Sequence, residues 1–581
     1  MEDHFGRVNT ALTRGKPYVK VAVVHPVESY WLHFGPNEQT KLERDKLDEN
    51  FSNVTNWLLR GNIDFDYICE STLPEQCKVG GSPLKVGEMS YDVVIVPECE
   101  TLRSTTLERL EAFRDAGGKL VFMGDAPKYE GAIPSLRGKE LFERSVRIAF
   151  NRGALLETLY DDRTIDVRGS DGALTNNLIH QIRRDEKGMW LFISHCQEPY
   201  NKDVARSQTV HIYVNGIFKP QLWDTVTGEI KPVSYKIEDG KTHINTVLYD
   251  YDSALFFLED STEEGSYSHE VIRPETTPVS LPYTVDYSLS EPNVLLLDMA
   301  KYAIDGEKLS DNEEEILRID TEIRRRLGYP TSRTQPWVIP TKPAEHSVTL
   351  EFTIHSDIDY AAPFLALEDA DIATIVWNGE KVSNSTVGYY TDKSIEKVAL
   401  PKLNKGENTL RVTIPFAERS NCEAMYLLGE FGVRVAGRLL TVTALPEKLG
   451  FSDLTYQGLP FYGGEVSYHL PVECENECNM SITVPHYTAA VNAVSVDGQR
   501  KATIAYPPYA ASLGRLSAGK HTVTVTSFIS RRNCFGDVHD ADEKLEWQGP
   551  TAWTTRDSLW TYEYRLRRTG IISTPIISKN K

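Results

Sequence analysis

Apolar residues follow one periodicity in the first quarter of the chain and another in the rest. YVKVAVV (18–24) is a short apolar run that ends at His25 and Pro26, after which Leu47, Phe51, Val54 and Leu58 recur at the spacing of one helical face. IDFDYI (63–68) alternates as a more exposed strand, and DVVIVP (92–97) reads as a buried one. Thr105 and Glu108 form a capping box for a helix through Leu107, Leu110 and Phe113. Gly117 and Gly118 end that helix, and KLVFMG (119–124) is the next strand. This alternation predicts a doubly wound parallel sheet.

From about Leu178 the helical period disappears. IHQIRRDEKGMWLFISH (179–195) reads as a hairpin around Glu186 to Gly188, and HIYVNG, EIKPVSYKI, HINTVLY and SALFFLE follow at the spacing of a small antiparallel domain. Residues 261–290 are polar with three prolines and read as a linker, and 307–328 as a charged helical connector that stops near Gly328 and Pro330. At the front, Phe5, Val8 and Leu12 lie at helical spacing up to Gly15, and this helix reads as the remnant of an upstream domain.

The last 240 or so residues contain an internal repeat. VTLEFTI, IATIVWNGEKV and LPKLNKGENTLRVTIP are followed, in the same order, by GEVSYHLPV, VNAVSVDGQRK and LGRLSAGKHTVTVTSF; Leu403, Gly406, Thr409 and Val412 match Leu516, Gly519, Thr522 and Val525 at a constant offset of 113. Each copy carries a tight-hairpin signal, Asn378-Gly379 or Asp497-Gly498, and a later alternating strand, the build of a jelly-roll sandwich. The expected domains are therefore a leading helix (1–17), an α/β domain (18–175), a small antiparallel β-domain (176–260), a linker and connector (261–335), and two β-sandwiches (336–442 and 443–581).

Composition narrows the function classes. With 63 Lys+Arg against 83 Asp+Glu the net charge is −20, which repels polyanions and argues against a nucleic-acid partner. The first residues have no basic and apolar leader, and no run of about 18 apolar residues occurs, so a cytoplasmic protein with no membrane partner is expected. The eight cysteines are scattered; only Cys474 and Cys478 lie close together, and no zinc-type double pair exists.

Val376 to Gly379 with Leu403 to Val412, and Val494 to Gly498 with Leu516 to Val525, resemble the galactose-binding-like sandwiches of family 2 glycoside hydrolases. DVVIVPECETL followed by LERLEAFRDAGGKLVFMGD resembles the flavodoxin-like, amidotransferase-like domain that follows the barrel in family 42 β-galactosidases and mediates their oligomerisation. QLWDTVTGEIKPVSY resembles the small β-domain that comes next. Together the resemblance covers nearly the whole chain and implies the C-terminal, non-barrel half of a multidomain bacterial glycoside hydrolase. Glycosidases use two carboxylates about 5 to 9.5 Å apart, usually on a barrel of about 250 residues, and the single α/β domain leaves no room for one. The resemblance thus implies a non-catalytic part that binds carbohydrate, a barrel domain or subunit as partner, a homo-oligomer, and neither cofactor nor metal. Two alternatives stand beside it, a structural oligomerisation protein without sugar affinity and an amidotransferase-like thiol enzyme.

Three stretches are candidates for chemistry. Cys99 follows a strand, yet Glu98 and Glu100 flank it where a nucleophile needs a glycine-rich elbow, so no catalytic residue is assigned. HPVESYWLHFGPNEQ places His25, Glu28, Trp31 and His33 beyond the first strand, where open α/β sheets bind ligands; this loop is expected either to face an active site or to bury Trp31 in an interface. SRRNCFGDVHDADEKLEWQGPTAW gathers Arg532, Asn533, Asp537, His539, Trp547 and Trp553, the aromatic and polar mixture that holds sugars; its alternative is a loop folded back to complete a core. Asp537, Asp540 and Asp542 lack the spacing of an EF-hand.

Overall fold

A computed structural model describes residues 2–202, 206–269, 275–331, 338–542 and 557–580. The chain is mostly β and forms two compact units, Met1–Arg273 and Pro274–Lys581.

The first unit opens with five parallel strands, Val21–Val24, Phe65–Ile68, Val93–Val96, Lys119–Met123 and Val146–Ile148, which in chain numbering lie in the order 2-1-3-4-5. VAVV and VVIV carry no polar residue because both faces are covered. Val21, Val23, Val93 and Ile95 pack with Val54 and Leu58 of helix Asn37–Leu59 on one face, and Ala22, Val24, Val94 and Val96 pack with Leu107, Leu110 and Phe113 of helix Ser104–Asp115 on the other. That second helix does not use the expected capping box. It begins two residues earlier, Arg103 is its N-cap without a side-chain bond, and Thr105 lies inside the first turn. The Arg103 N–H instead donates to Glu70 Oε2 at 2.8 Å.

Two antiparallel sheets complete the unit around a shared core that includes Leu191, Ile193, Ile212, Ile244 and Phe256. The expected hairpin pairs Leu178–Arg184 with Gly188–His195. Ile165–Gly169, read above as part of the α/β domain, pairs with Ser207–Asn215 and belongs to these sheets. The leading helix, Glu2–Leu12, also rests on them: Ala11 meets Trp190 and Leu255, and Arg7 donates to the carbonyls of Thr225 and Val226. Its partner is thus in its own unit, while Phe5 stays 61% exposed.

The second unit holds two β-sandwiches with one strand order. In the first, Met299–Ile304, His346–Ser356, Gly406–Phe416, Thr374–Trp377 and Glu380–Val382 run side by side, facing a sheet ordered Asn293–Leu297, Met425–Gly429, Phe364–Glu368, Asp392–Ala399 and Thr386–Tyr390. In the second, Thr284–Leu289, Glu465–Cys474, Gly519–Phe528, Val491–Val496 and Gln499–Ile504 face Thr276–Val279, Ile576–Asn580, Cys478–Thr483 and Ala510–Leu516. The match extends to the turns. Asn378-Gly379 has φ of 49° and 86°, Asp497-Gly498 has 49° and 80°, and the Asn378 and Asp497 side chains accept the N–H of Thr409 and Thr522 at 2.8 and 2.9 Å.

The stretch expected as a linker is therefore not one along its whole length. Thr276–Val279 and Thr284–Leu289 are strands of the second sandwich, paired with Ile576–Asn580 and Glu465–Cys474. The first sandwich is inserted between these strands and the remainder of the second. Their short alternation was masked by Pro278 and Pro282, and Pro278 fits because its strand lies at a sheet edge. The connector contains helix Ile316–Leu327, whose Ile316, Ile319 and Ile323 enter the first sandwich core.

Candidate functional site

In a sheet ordered 2-1-3-4-5 the chain leaves in opposite directions from strands 1 and 3, and the crevice beyond their carboxyl ends is where such sheets place ligands. Val21–Val24 leads there into helix Val27–Leu32, and Val93–Val96 into Pro97-Glu98-Cys99-Glu100. His33 Nε2 lies 3.0 Å from Glu100 Oε1, both groups being part-exposed. Glu98 accepts from Lys46 Nζ at 2.9 Å and Asn50 Nδ2 at 3.2 Å, and it holds the Lys46 ammonium above its ordinary pKa. Ser29 Oγ accepts the backbone N–H of Glu100 and Thr101, which fixes the loop, and Arg103 Nε donates to Glu28 at 2.5 Å.

Of the four residues predicted on this loop, His33 and Glu28 join the polar cluster. His25 turns to the Phe51 and Tyr67 rings, 4.8 and 5.8 Å between centroids, and burial lowers its pKa. Trp31 is 58% exposed, and Leu32, Phe34 and Leu42 are exposed as well, so the loop presents apolar side chains beside paired imidazole, carboxylate and ammonium groups. Such a surface offers a flat apolar face together with donors and acceptors for hydroxyls. Glu98, Glu100, Lys46 and Asn50 were not assigned from the sequence; the available signal was a pair of carboxylates directly after a buried strand. Cys99 is 5% exposed, and burial followed by the charges of Glu70, Glu98 and Glu100 pushes its thiol well above the ordinary range. It is a poor nucleophile there.

The second predicted stretch folds inward. Asn533, 6% exposed, clamps the backbone of Arg567 by donating to its carbonyl and accepting its N–H, both at 2.8 Å. His539, 4% exposed, directs Nδ1 to the Thr561 carbonyl at 3.0 Å and Nε2 to Asp298 at 3.1 Å, and Tyr564 donates to the other Asp298 oxygen at 2.6 Å. Burial alone would lower the His539 pKa, but Asp298 and nearby Glu315 raise it, and both ring nitrogens face acceptors, as the imidazolium requires. Cys534 and Val538 enter the first sandwich core. The polar atoms of Asn533 and His539 are thus committed within the protein, which leaves them poor sugar ligands. Arg532 and Asp537 are part-exposed, each with one buried polar atom lacking a partner among the described residues; Trp547 and Trp553 lie outside the described residues. Among the described residues no group of three His, Cys, Asp or Glu side chains is placed to hold a metal ion, and no helix is long and apolar enough to cross a membrane.

Neither known family models nor curated proteins match the chain. Solved structures that resemble it are glycoside hydrolases. A rhamnosidase from Novosphingobium sp. PP1Y aligns over 100% of this chain and 40% of its own, at 14% identity and a TM-score of 0.48. An α-L-fucosidase isoenzyme from Paenibacillus thiaminolyticus aligns over 43% of this chain and 50% of its own, at 11% identity and a TM-score of 0.28. A β-galactosidase from Bacillus circulans sp. alkalophilus aligns over 42% of each chain, at 12% identity and a TM-score of 0.27. The chain thus spans at most half the length of these three proteins.

Proposed function

We propose that the chain is a non-catalytic, carbohydrate-handling and assembly portion of a glycoside hydrolase, with a flavodoxin-like domain, a small β-domain and two galactose-binding-like jelly rolls. The observation that carries this reading is the repeated sandwich, in which the signature that resembles sugar-binding modules coincides with one strand order and one turn geometry in both copies. The strand order 2-1-3-4-5 supports the flavodoxin-like assignment. On this reading the crevice edge at Trp31, His33, Glu98 and Glu100 faces carbohydrate, with the indole as a stacking platform and the carboxylates taking hydroxyls. A catalytic barrel, on the same or another polypeptide, supplies the hydrolytic acid and nucleophile.

A glycan array followed by titration calorimetry tests this. The full chain is expected to bind a defined glycan and to lose that binding in Trp31→Ala, while releasing no nitrophenol from nitrophenyl glycosides. A blank array together with a stable oligomer in light scattering would replace it with the second reading, a purely structural assembly protein, which the exposed Trp31, Leu32, Phe34 and Leu42 favour. The third, a thiol enzyme, has the buried Cys99 against it.

A further inference from the structure

Cys474 ends strand Glu465–Cys474 in one sheet of the second sandwich, and Cys478 begins strand Cys478–Thr483 in the other. Only Glu475, Asn476 and Glu477 lie between them, so the chain crosses from sheet to sheet in a short arch. Across that arch the two Sγ atoms lie 3.7 Å apart, and Met480 Sδ backs Cys474 at 3.5 Å. Among the described residues no other two cysteines make such a contact.

The fold does not require sulfur here. In the first sandwich Ser356 pairs with Gly406 in the register in which Cys474 pairs with Gly519, and both positions are buried. A hydroxyl therefore serves at the same place in the same architecture. Exposure of the two thiols differs: Cys474 is 2% exposed, whereas Cys478 is half-buried and lines an open surface cavity with Thr277, Glu477, Asn479, Arg515 and Lys579. One thiol can thus meet a reagent, and the other sits behind it in contact.

We propose that Cys474 and Cys478 form a reversible dithiol–disulfide site that exchanges with low-molecular-weight disulfides and, when oxidised, ties the two sheets of the second sandwich together. Cys478 is the attacking residue. Its thiolate bonds to one sulfur of the small disulfide, whose S–S bond breaks and releases a thiolate that takes up the Cys478 proton. The Cys474 thiolate then attacks Cys478 Sγ, the mixed disulfide breaks, and a second small thiol leaves with the Cys474 proton. Two protein thiols are oxidised and one external disulfide is reduced to two thiols.

The test uses the full chain and oxidised glutathione. After incubation and blocking of the remaining thiols, cleavage by a glutamate-specific protease at Glu475 and Glu477 separates the two cysteines in sequence. The expected result is that the two fragments stay joined until a reductant is added, with the loss of two hydrogens from their summed mass. Cys474→Ser, which Ser356 shows to suit the register, is expected to stop at one glutathione on Cys478. Fragments that separate without reductant, or a Cys474→Ser protein whose Cys478 carries no glutathione, would overturn the proposal.

Discussion

Glu315 offers a direct test of how this fold prices a buried charge. It precedes helix Ile316–Leu327, is 6% exposed, and accepts the N–H groups of Leu317 and Arg318 at 3.0 and 2.9 Å. Burial pushes its carboxyl up from the ordinary 4.5 to about 7; the two N–H groups oppose that shift, Asp298 adds to it, and His539 opposes it. The folded protein thus binds this proton more tightly than the unfolded chain does. The stabilisation is complete below about pH 4.5 and is lost as the pH rises through 7. At about 1.4 kcal/mol for each pH unit between the two values, the loss is on the order of 3 kcal/mol. Glu315→Gln keeps one acceptor for the helix N–H groups and cannot ionise. Urea unfolding of both proteins at pH 4 and pH 8 should show similar stability at the lower pH, with the variant gaining ~3 kcal/mol at the higher. Wild-type and variant stabilities that run parallel across this range would refute the reasoning.

Other expectations follow from single contacts. Asn293, 1% exposed, donates to the carbonyls of Phe431 and Gly458 at 2.7 and 2.8 Å. Asn293→Ala removes the donor to the Phe431 carbonyl, while the Gly458 carbonyl keeps the Val433 N–H at 2.9 Å, and should cost about 1–3 kcal/mol in a urea melt. Iodoacetamide at neutral pH should label Cys69 first, because it is exposed and the Ser71 hydroxyl lowers its pKa, and Cys99 last, as read by peptide mass mapping. Trp31→Ala should change stability by less than about 0.5 kcal/mol in the same melt, since its indole is already largely in water, so any loss of glycan binding is local.

Buried runs and turns were legible in the sequence, whereas long-range pairing was not. VAVV, VVIV and KLVFM announced the central parallel strands because a strand covered on both faces leaves no place for polar residues. The fifth strand, Val146–Ile148, is short and largely exposed and gave no such signal. Asn378-Gly379 and Asp497-Gly498 marked their hairpins because few residue pairs adopt two positive φ angles in succession. In contrast, the strands at 276–279 and 284–289 are polar edge or near-edge elements whose partners lie far along the chain. At the candidate site the loop after the first strand could be named in advance, but the partners of His33 come from another strand end. His539 and Asn533 have the composition of a ligand site and the burial of a core, and composition alone does not separate the two.

The insertion of one sandwich inside the other also orders events in time. The strand at 276–279 hydrogen-bonds to the one at 576–580, so it leaves the ribosome about 300 residues before its partner exists. Ile576–Asn580 also lies between Thr276–Val279 and Cys478–Thr483, and without it that sheet has no continuous ladder. The inserted sandwich has every strand it needs by about residue 443 and can form first, with Cys534 and Val538 joining its core afterwards. Its outer neighbour must hold two edge-type segments unpaired throughout, a long exposure to misassembly in a crowded cell. A ribosome stalled within the last sandwich should therefore display one protease-resistant module and one open one.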